Sequence, residues 1–142
     1  MKETYLVIGG GGFLGRKILD MLLERGEDVS VFDLRQTFED DRLTRYHVGD
    51  ICDVESVIQA CRGKSVVIHT ASPIHGLPAS VYFKVNVDGT RNVISACQLC
   101  KVSKLVFTSS ASVVYDGTDL VSATEEMPYC DVHMDAYNET KV

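Results

Sequence analysis

Runs of four to six apolar residues alternate along the chain with segments in which apolar positions recur every three or four residues. That alternation predicts repeated strand–helix units around a parallel sheet. Tyr5-Leu6-Val7-Ile8 reads as a first buried strand. Leu14, Ile18, Met21 and Leu22 follow at helical spacing, and Gly26 stands where a C-terminal cap belongs. Val29-Ser30-Val31-Phe32 is the second strand and Tyr46-His47-Val48 a short third. Asp53 can cap a helix carrying Val54, Val57, Ile58 and Cys61, which Gly63 ends. Val66-Val67-Ile68-His69 is the fourth strand, and the segment from about Pro78 to Lys101 has helical period with a middle weakened by Asn86 and Gly89. Leu105-Val106-Phe107 is the fifth strand; an acidic, turn-rich loop from Asp116 to Asp135 follows, then the start of a helix at about Ala136. The expected class is α/β, a doubly wound parallel sheet of about five strands in the order 3-2-1-4-5.

The first strand leads into Gly9-Gly10-Gly11-Gly12-Phe13-Leu14-Gly15, readable as Gly9-x-x-Gly12-x-x-Gly15 before a helix. Glycine is needed there because side chains would keep a pyrophosphate from the backbone N–H groups and the positive helix end, and because the last position packs helix on strand. A P-loop is excluded, since Arg16 and Lys17 follow Gly15 where Lys and Ser/Thr are required. Residues 1–142 therefore read as one Rossmann-type dinucleotide-binding domain. Asp33 ends the second strand 18 residues after Gly15, the place of the acid that accepts from the adenosine ribose hydroxyls. A carboxylate there repels a 2′-phosphate, which favours NAD over NADP. Arg35 complicates that preference, because it can swing toward a phosphate or simply be solvated.

In such a sheet all strands end on one edge, where ligands bind. That edge receives Gly9 to Gly12, Asp33, Gly49-Asp50-Ile51, His69-Thr70-Ala71-Ser72 and Thr108-Ser109-Ser110-Ala111-Ser112. Asp50 is equally a turn former or an adenine contact. His69 reads as a packed strand-end histidine rather than a catalyst.

The 142 residues suit a single domain, and 45% hydrophobic with 24% charged residues are globular values. A net charge of −6 argues against a nucleic-acid partner. No apolar run reaches membrane-span length, and the N-terminus runs straight into a strand, so the chain reads as unsecreted and cytoplasmic. Five cysteines make a disulfide framework improbable. Cys97-x-x-Cys100 lies in a helical pattern with no second pair to complete a zinc site, so no metal is expected.

Tyr137-Asn138-Glu139-Thr140-Lys141 places a phenol and an ammonium at i and i+4, on one face of a helix. A phenol titrates near pH 10, and bringing it ~3 units lower needs about 4 kcal/mol of differential stabilisation. A neighbouring lysine ammonium and the positive charge of an oxidised nicotinamide are the available sources. The pair gains meaning from the dinucleotide motif and serine-rich strand end that precede it.

Gly9-x-x-Gly12-x-x-Gly15, Gly49-Asp50-Ile51, Ser109-Ser110 and Tyr137-x-x-x-Lys141 together resemble the extended short-chain dehydrogenase/reductases. Phe107 to Val114 and Asp135 to Lys141 look most like their 3β-hydroxysteroid dehydrogenase branch, especially the fungal sterol-4α-carboxylate 3-dehydrogenases of the decarboxylating type. The resemblance implies Tyr137 as general base, Lys141 depressing its pKa and holding the nicotinamide ribose, and Ser110 hydrogen-bonding the substrate oxygen, with Ser112 as second choice. It implies cofactor contacts at Gly9, Gly12, Phe13, Leu14, Gly15, Asp33, Asp50, Ile51, Thr70, Ala71, Tyr137 and Lys141. Asn86 matches the family's helix-four asparagine position, and it reads equally as a polar break in a weak helix.

The implied reaction passes hydride from a 3β-hydroxysteroid to NAD(P). A 4α-carboxyl neighbour would leave a β-keto acid that loses carbon dioxide. A nucleotide-sugar epimerase or dehydratase and a non-catalytic dinucleotide-binding fragment are the alternatives. Such families continue past the Tyr-Lys helix into a substrate region, and full-length relatives can sit at the endoplasmic reticulum surface. The chain therefore looks truncated: the expectation is weak NAD binding or none, no turnover alone, and self-association through uncovered apolar surface.

Overall fold

The protein is described by a computed structural model covering residues 2–142. Five strands, β1 (Thr4–Ile8), β2 (Asp28–Asp33), β3 (Arg45–Val48), β4 (Val66–His69) and β5 (Lys104–Phe107), form one parallel sheet in the order β3-β2-β1-β4-β5. This is the predicted order, and it follows from apolar strands joined by helical crossovers. Helices α1 (Phe13–Glu24) and α2 (Val54–Cys61) are followed by α3 (Ala79–Tyr82), which runs unbroken through a π-helical segment, Phe83–Gly89, into α4 (Thr90–Leu99); α5 (Ala136–Glu139) is the last.

Alternation along β1 sorts the core into two layers. Leu6 and Ile8 pack with Phe32, Val57, Val93 and Cys97 on the α2/α4 face, whereas Val7 packs with Leu19, Leu22, Val29 and Val31 on the α1 face. Cys61 and Cys97 are small apolar fillers of the first layer, and all five thiols are free.

The sequence reading differs from the structure in two places. Within the segment from Pro78 to Lys101, residues Ala79 to Leu99 form one continuous helix whose middle is widened to π geometry rather than broken, where the buried Asn86 side chain finds partners. Residues Ala111–Val114 form an unforeseen 3-10 turn, started by Ser110, whose hydroxyl accepts from the Ser112 N–H at 3.2 Å. As the expected strand order requires, β5 is an edge strand, with every residue exposed, among them Val106 at 52%. Among the described residues no helix is long and apolar enough to cross a membrane.

Candidate active site

The β1–α1 turn is shaped by contacts that leave no room for side chains. Gly9 has φ +83°, and a Cβ there would lie 2.8 Å from the Ala71 nitrogen. At Gly15 a Cβ would lie 2.1 Å from the Gly9 carbonyl oxygen, so helix and turn touch backbone to backbone. The Gly9 N–H donates to the Phe32 carbonyl at 2.8 Å, and the Thr70 hydroxyl donates to the Ile8 carbonyl at 2.9 Å. These bonds tie the turn to β2 and to the end of β4.

Above it lies a cavity of about 590 Å³. Gly9, Gly11, Gly12, Asp33, Asp50, Ile51, Thr70 and Ala71 line it, and so do Arg35, Thr37, Ser72 and an apolar wall that includes Ile74, Leu77, Val81 and Val85. Asp33 is fixed on one side: its two carboxylate oxygens accept from the Gly11 N–H at 2.8 Å and the Leu34 N–H at 2.7 Å. Asp50 accepts from the Cys52 N–H at 2.9 Å, so it forms a turn and lines the cavity at once. Phe13, Leu14 and Gly15 do not line it: Phe13 is 99% exposed on the first turn of α1, Leu14 is exposed beside it, and Gly15 is buried under the turn.

Ser110, Tyr137 and Lys141 lie outside that cavity's lining. Tyr137 stands on α5 and Lys141 just past its end, where the ammonium meets the residue after β5, and Ser110 follows β5 by three residues. Asp135 caps α5, accepting from the Asn138 N–H at 2.8 Å. The last turn then tightens: the Thr140 N–H donates to the Ala136 carbonyl at 3.1 Å and the Lys141 N–H to the Asn138 carbonyl at 3.2 Å. Lys141 is buried, its ammonium donating to the Thr108 carbonyl at 3.1 Å and standing 5.9 Å from the Tyr137 ring centroid. Burial lowers its pKa below the usual lysine value. The Ser109 hydroxyl donates to the Lys141 carbonyl at 2.5 Å, while Ser110 and Ser112 share a hydrogen bond of 2.6 Å. The Tyr137 ring packs 5.1 Å from the His75 ring.

Asn86 connects the two halves. Its Oδ1 accepts from the Ser72 hydroxyl at 3.1 Å, and its Nδ2 donates to the Thr140 hydroxyl at 2.9 Å. A cavity-lining residue is thereby linked to the residue before Lys141. Thr140 and Ser72 were not singled out from sequence, and their only signal was small polar character beside Lys141 and at the β4 end.

His69 is packed at the strand end, its Nε2 3.0 Å from the Thr90 hydroxyl and its Nδ1 without a partner. Burial, then the nearby Lys141 ammonium, push its pKa down to about 4. The neutral ring is favoured in the fold, so the unfolded chain binds the extra proton between pH ~6.5 and ~4. Stability is full above that window and lost as pH falls through it, by up to about 3 kcal/mol. Urea unfolding of His69→Asn, compared with the parent at pH 7 and at low pH, is expected to show the acid loss shrinking by that order.

A model of the 3-beta hydroxysteroid dehydrogenase/isomerase family matches residues 6–142. The sterol-4-alpha-carboxylate 3-dehydrogenase, decarboxylating, of Mus musculus is 43% identical over 137 residues, covering 96% of this chain and 38% of that protein. Its Schizosaccharomyces pombe counterpart is 45% identical over 152 residues, covering 99% of this chain and 44% of that protein. The chain thus spans about two fifths of the length of these curated relatives. Among solved structures, a short-chain dehydrogenase/reductase superfamily protein from Agrobacterium tumefaciens with bound NAD superposes with a TM-score of 0.88 at 30% identity, covering 98% of this chain and 42% of that one. A Thermus thermophilus UDP-glucose 4-epimerase in complex with NAD gives 0.79, also at 30% identity, covering 97% and 47%.

Proposed function

The chain belongs to the 3-beta hydroxysteroid dehydrogenase/isomerase family, and we propose that it is the cofactor-binding and catalytic part of a dehydrogenase acting on a 3β-hydroxysterol, including one with a 4α-carboxyl group. The observation that carries this reading is the side-chain-free turn from Gly9 to Gly12 facing a cavity walled by Asp33. A dinucleotide fits there: a helix N-terminus behind a turn without side chains suits a pyrophosphate, and a fixed carboxylate suits ribose hydroxyls. The NAD-bound solved neighbours support a nicotinamide dinucleotide, and the electrostatics of Asp33 favour NAD.

The nicotinamide, when bound, supplies the hydride acceptor. Tyr137, as phenolate, takes the proton of the substrate hydroxyl, Ser110 holds the substrate oxygen with Ser112 behind it, and the Lys141 ammonium stabilises the phenolate that serves as the base. Lys141 is held for this by the Thr108 carbonyl and, through Thr140, by Asn86. With a 4α-carboxylate next to the new ketone, loss of carbon dioxide needs no further group from this chain. The epimerase alternative rests on fold likeness at 30% identity, against 43–45% to the sterol dehydrogenases.

Calorimetry with NAD and NADP on a chimera in which this chain replaces the aligned segment of the S. pombe relative tests the cofactor assignment. Tighter binding of NAD is expected, and Asp33→Asn is expected to erode that preference by about tenfold, the equivalent of roughly 1.4 kcal/mol. Absence of heat with both dinucleotides overturns the reading.

A further inference from the structure

A second cavity, of about 550 Å³, opens at the opposite edge of the sheet. α2 covers β2 and β3 only toward their carboxyl ends, where Phe32 packs against Val57. Below it Ser30 pairs with Arg45, and Phe32 with His47, so Ser30, Arg45 and His47 share the face that α2 leaves open. Arg62 at the end of α2, Gln59 and Lys64 complete the lining with Thr44.

The chemistry there is unlike the rest of the molecule. The chain carries net charge −6, yet three fixed cations converge on this cavity. Among the described residues none of Arg45, Arg62 and Lys64 forms a salt bridge. The Lys64 ammonium instead donates to the Ser30 hydroxyl at 2.7 Å, and Ser30 is fully buried in the interior of β2, where its neighbours are Val29 and Val31. The carboxylate within electrostatic reach of Lys64 is Asp28, which accepts from the Thr44 hydroxyl. Unpaired guanidinium forks beside an ammonium, a hydroxyl and an amide suit an oxyanion of two charges.

We propose that this cavity binds a phosphate group, taken from free phosphate or a phosphate monoester, or from a phospholipid headgroup, at a site separate from the dinucleotide cavity. Arg45 and Arg62 grip its oxygens, Lys64 neutralises it from below, and Gln59 donates from the rim. His47 reports on the site: burial and then the Arg45 and Lys64 charges lower its pKa, so a bound dianion raises it.

The test is an NMR titration of the His47 ring with sodium phosphate at constant ionic strength. A saturable shift with a raised His47 pKa is expected, and Arg62→Gln and Gln59→Glu, both at exposed positions, are each expected to weaken it about tenfold or more. Co-sedimentation with phosphatidylcholine vesicles containing phosphatidic acid, displaced by free phosphate and absent in both variants, assigns the lipid source; a phosphate shift without sedimentation assigns the soluble one. A shift that does not saturate, that chloride reproduces, or that both variants retain overturns the proposal.

Discussion

Gly15→Ala is expected to abolish dinucleotide binding and to destabilise the chain by about 2–4 kcal/mol, read by calorimetry with NAD and by urea unfolding. The added Cβ would sit 2.1 Å from the Gly9 oxygen and 2.8 Å from the Gly9 carbonyl carbon. Both are backbone atoms of a turn that cannot give way cheaply, since the Gly9 N–H is bonded to Phe32 and the Gly12 N–H to the Gly9 carbonyl at 3.1 Å. Relief requires sliding α1 along β1, which also uncovers Leu19 and Leu22. Gly26→Ala is the contrast. It has φ +70° with nothing within 4 Å of the new methyl, so only backbone strain is added, about 1 kcal/mol, and binding is retained. Unaltered NAD affinity in Gly15→Ala would refute the placement of the pyrophosphate on this turn.

Tyr137→Phe is expected to lower kcat by ~10²–10⁴-fold, the usual worth of a positioned general base, with a far smaller change in dinucleotide affinity. A chimera in which this chain replaces the aligned segment of the S. pombe relative provides the assay, with hydride transfer from a 4α-carboxysterol to NAD followed directly. The ring's packing against His75 and Tyr82, at 5.1 and 6.1 Å, is kept by phenylalanine. Loss of turnover therefore reports the missing hydroxyl rather than a collapsed pocket. A kcat within tenfold of the parent would remove Tyr137 from the role of base.

The sheet could be read from sequence because parallel strands buried on both faces are written as short apolar runs: Tyr5 to Ile8, Val29 to Phe32 and Val66 to His69 are each local signals. The glycine turn was legible because its residues are adjacent along the chain, and Asp33 because a strand–helix–strand unit returns the end of β2 beside that turn, 2.8 Å from the Gly11 N–H. The Ser72–Asn86–Thr140 connection was not, because it joins residues 14 and 54 positions apart through side-chain bonds that no periodicity encodes. The second cavity was hidden similarly. Ser30 looked like an ordinary strand residue until the shortness of α2 left its face open. Phe13 and Leu14 belong to the glycine motif by sequence, yet their side chains point away from the cavity walls and only the turn's backbone closes it.

The π segment makes the arrangement sensitive to residue number as well as identity. A π turn holds more residues than an α turn, so the stretch from Phe83 to Gly89 behaves as a stored insertion within one long helix. Deleting a single residue there would let the helix close to α geometry with its two ends kept in phase, so that α3 and α4 hold their faces while the widened turn carrying Asn86 is lost. Asn86 would leave Thr140 and Ser72. A one-residue deletion is thus a direct route by which the link between the two halves can be cut in one genetic step, with the long helix itself preserved.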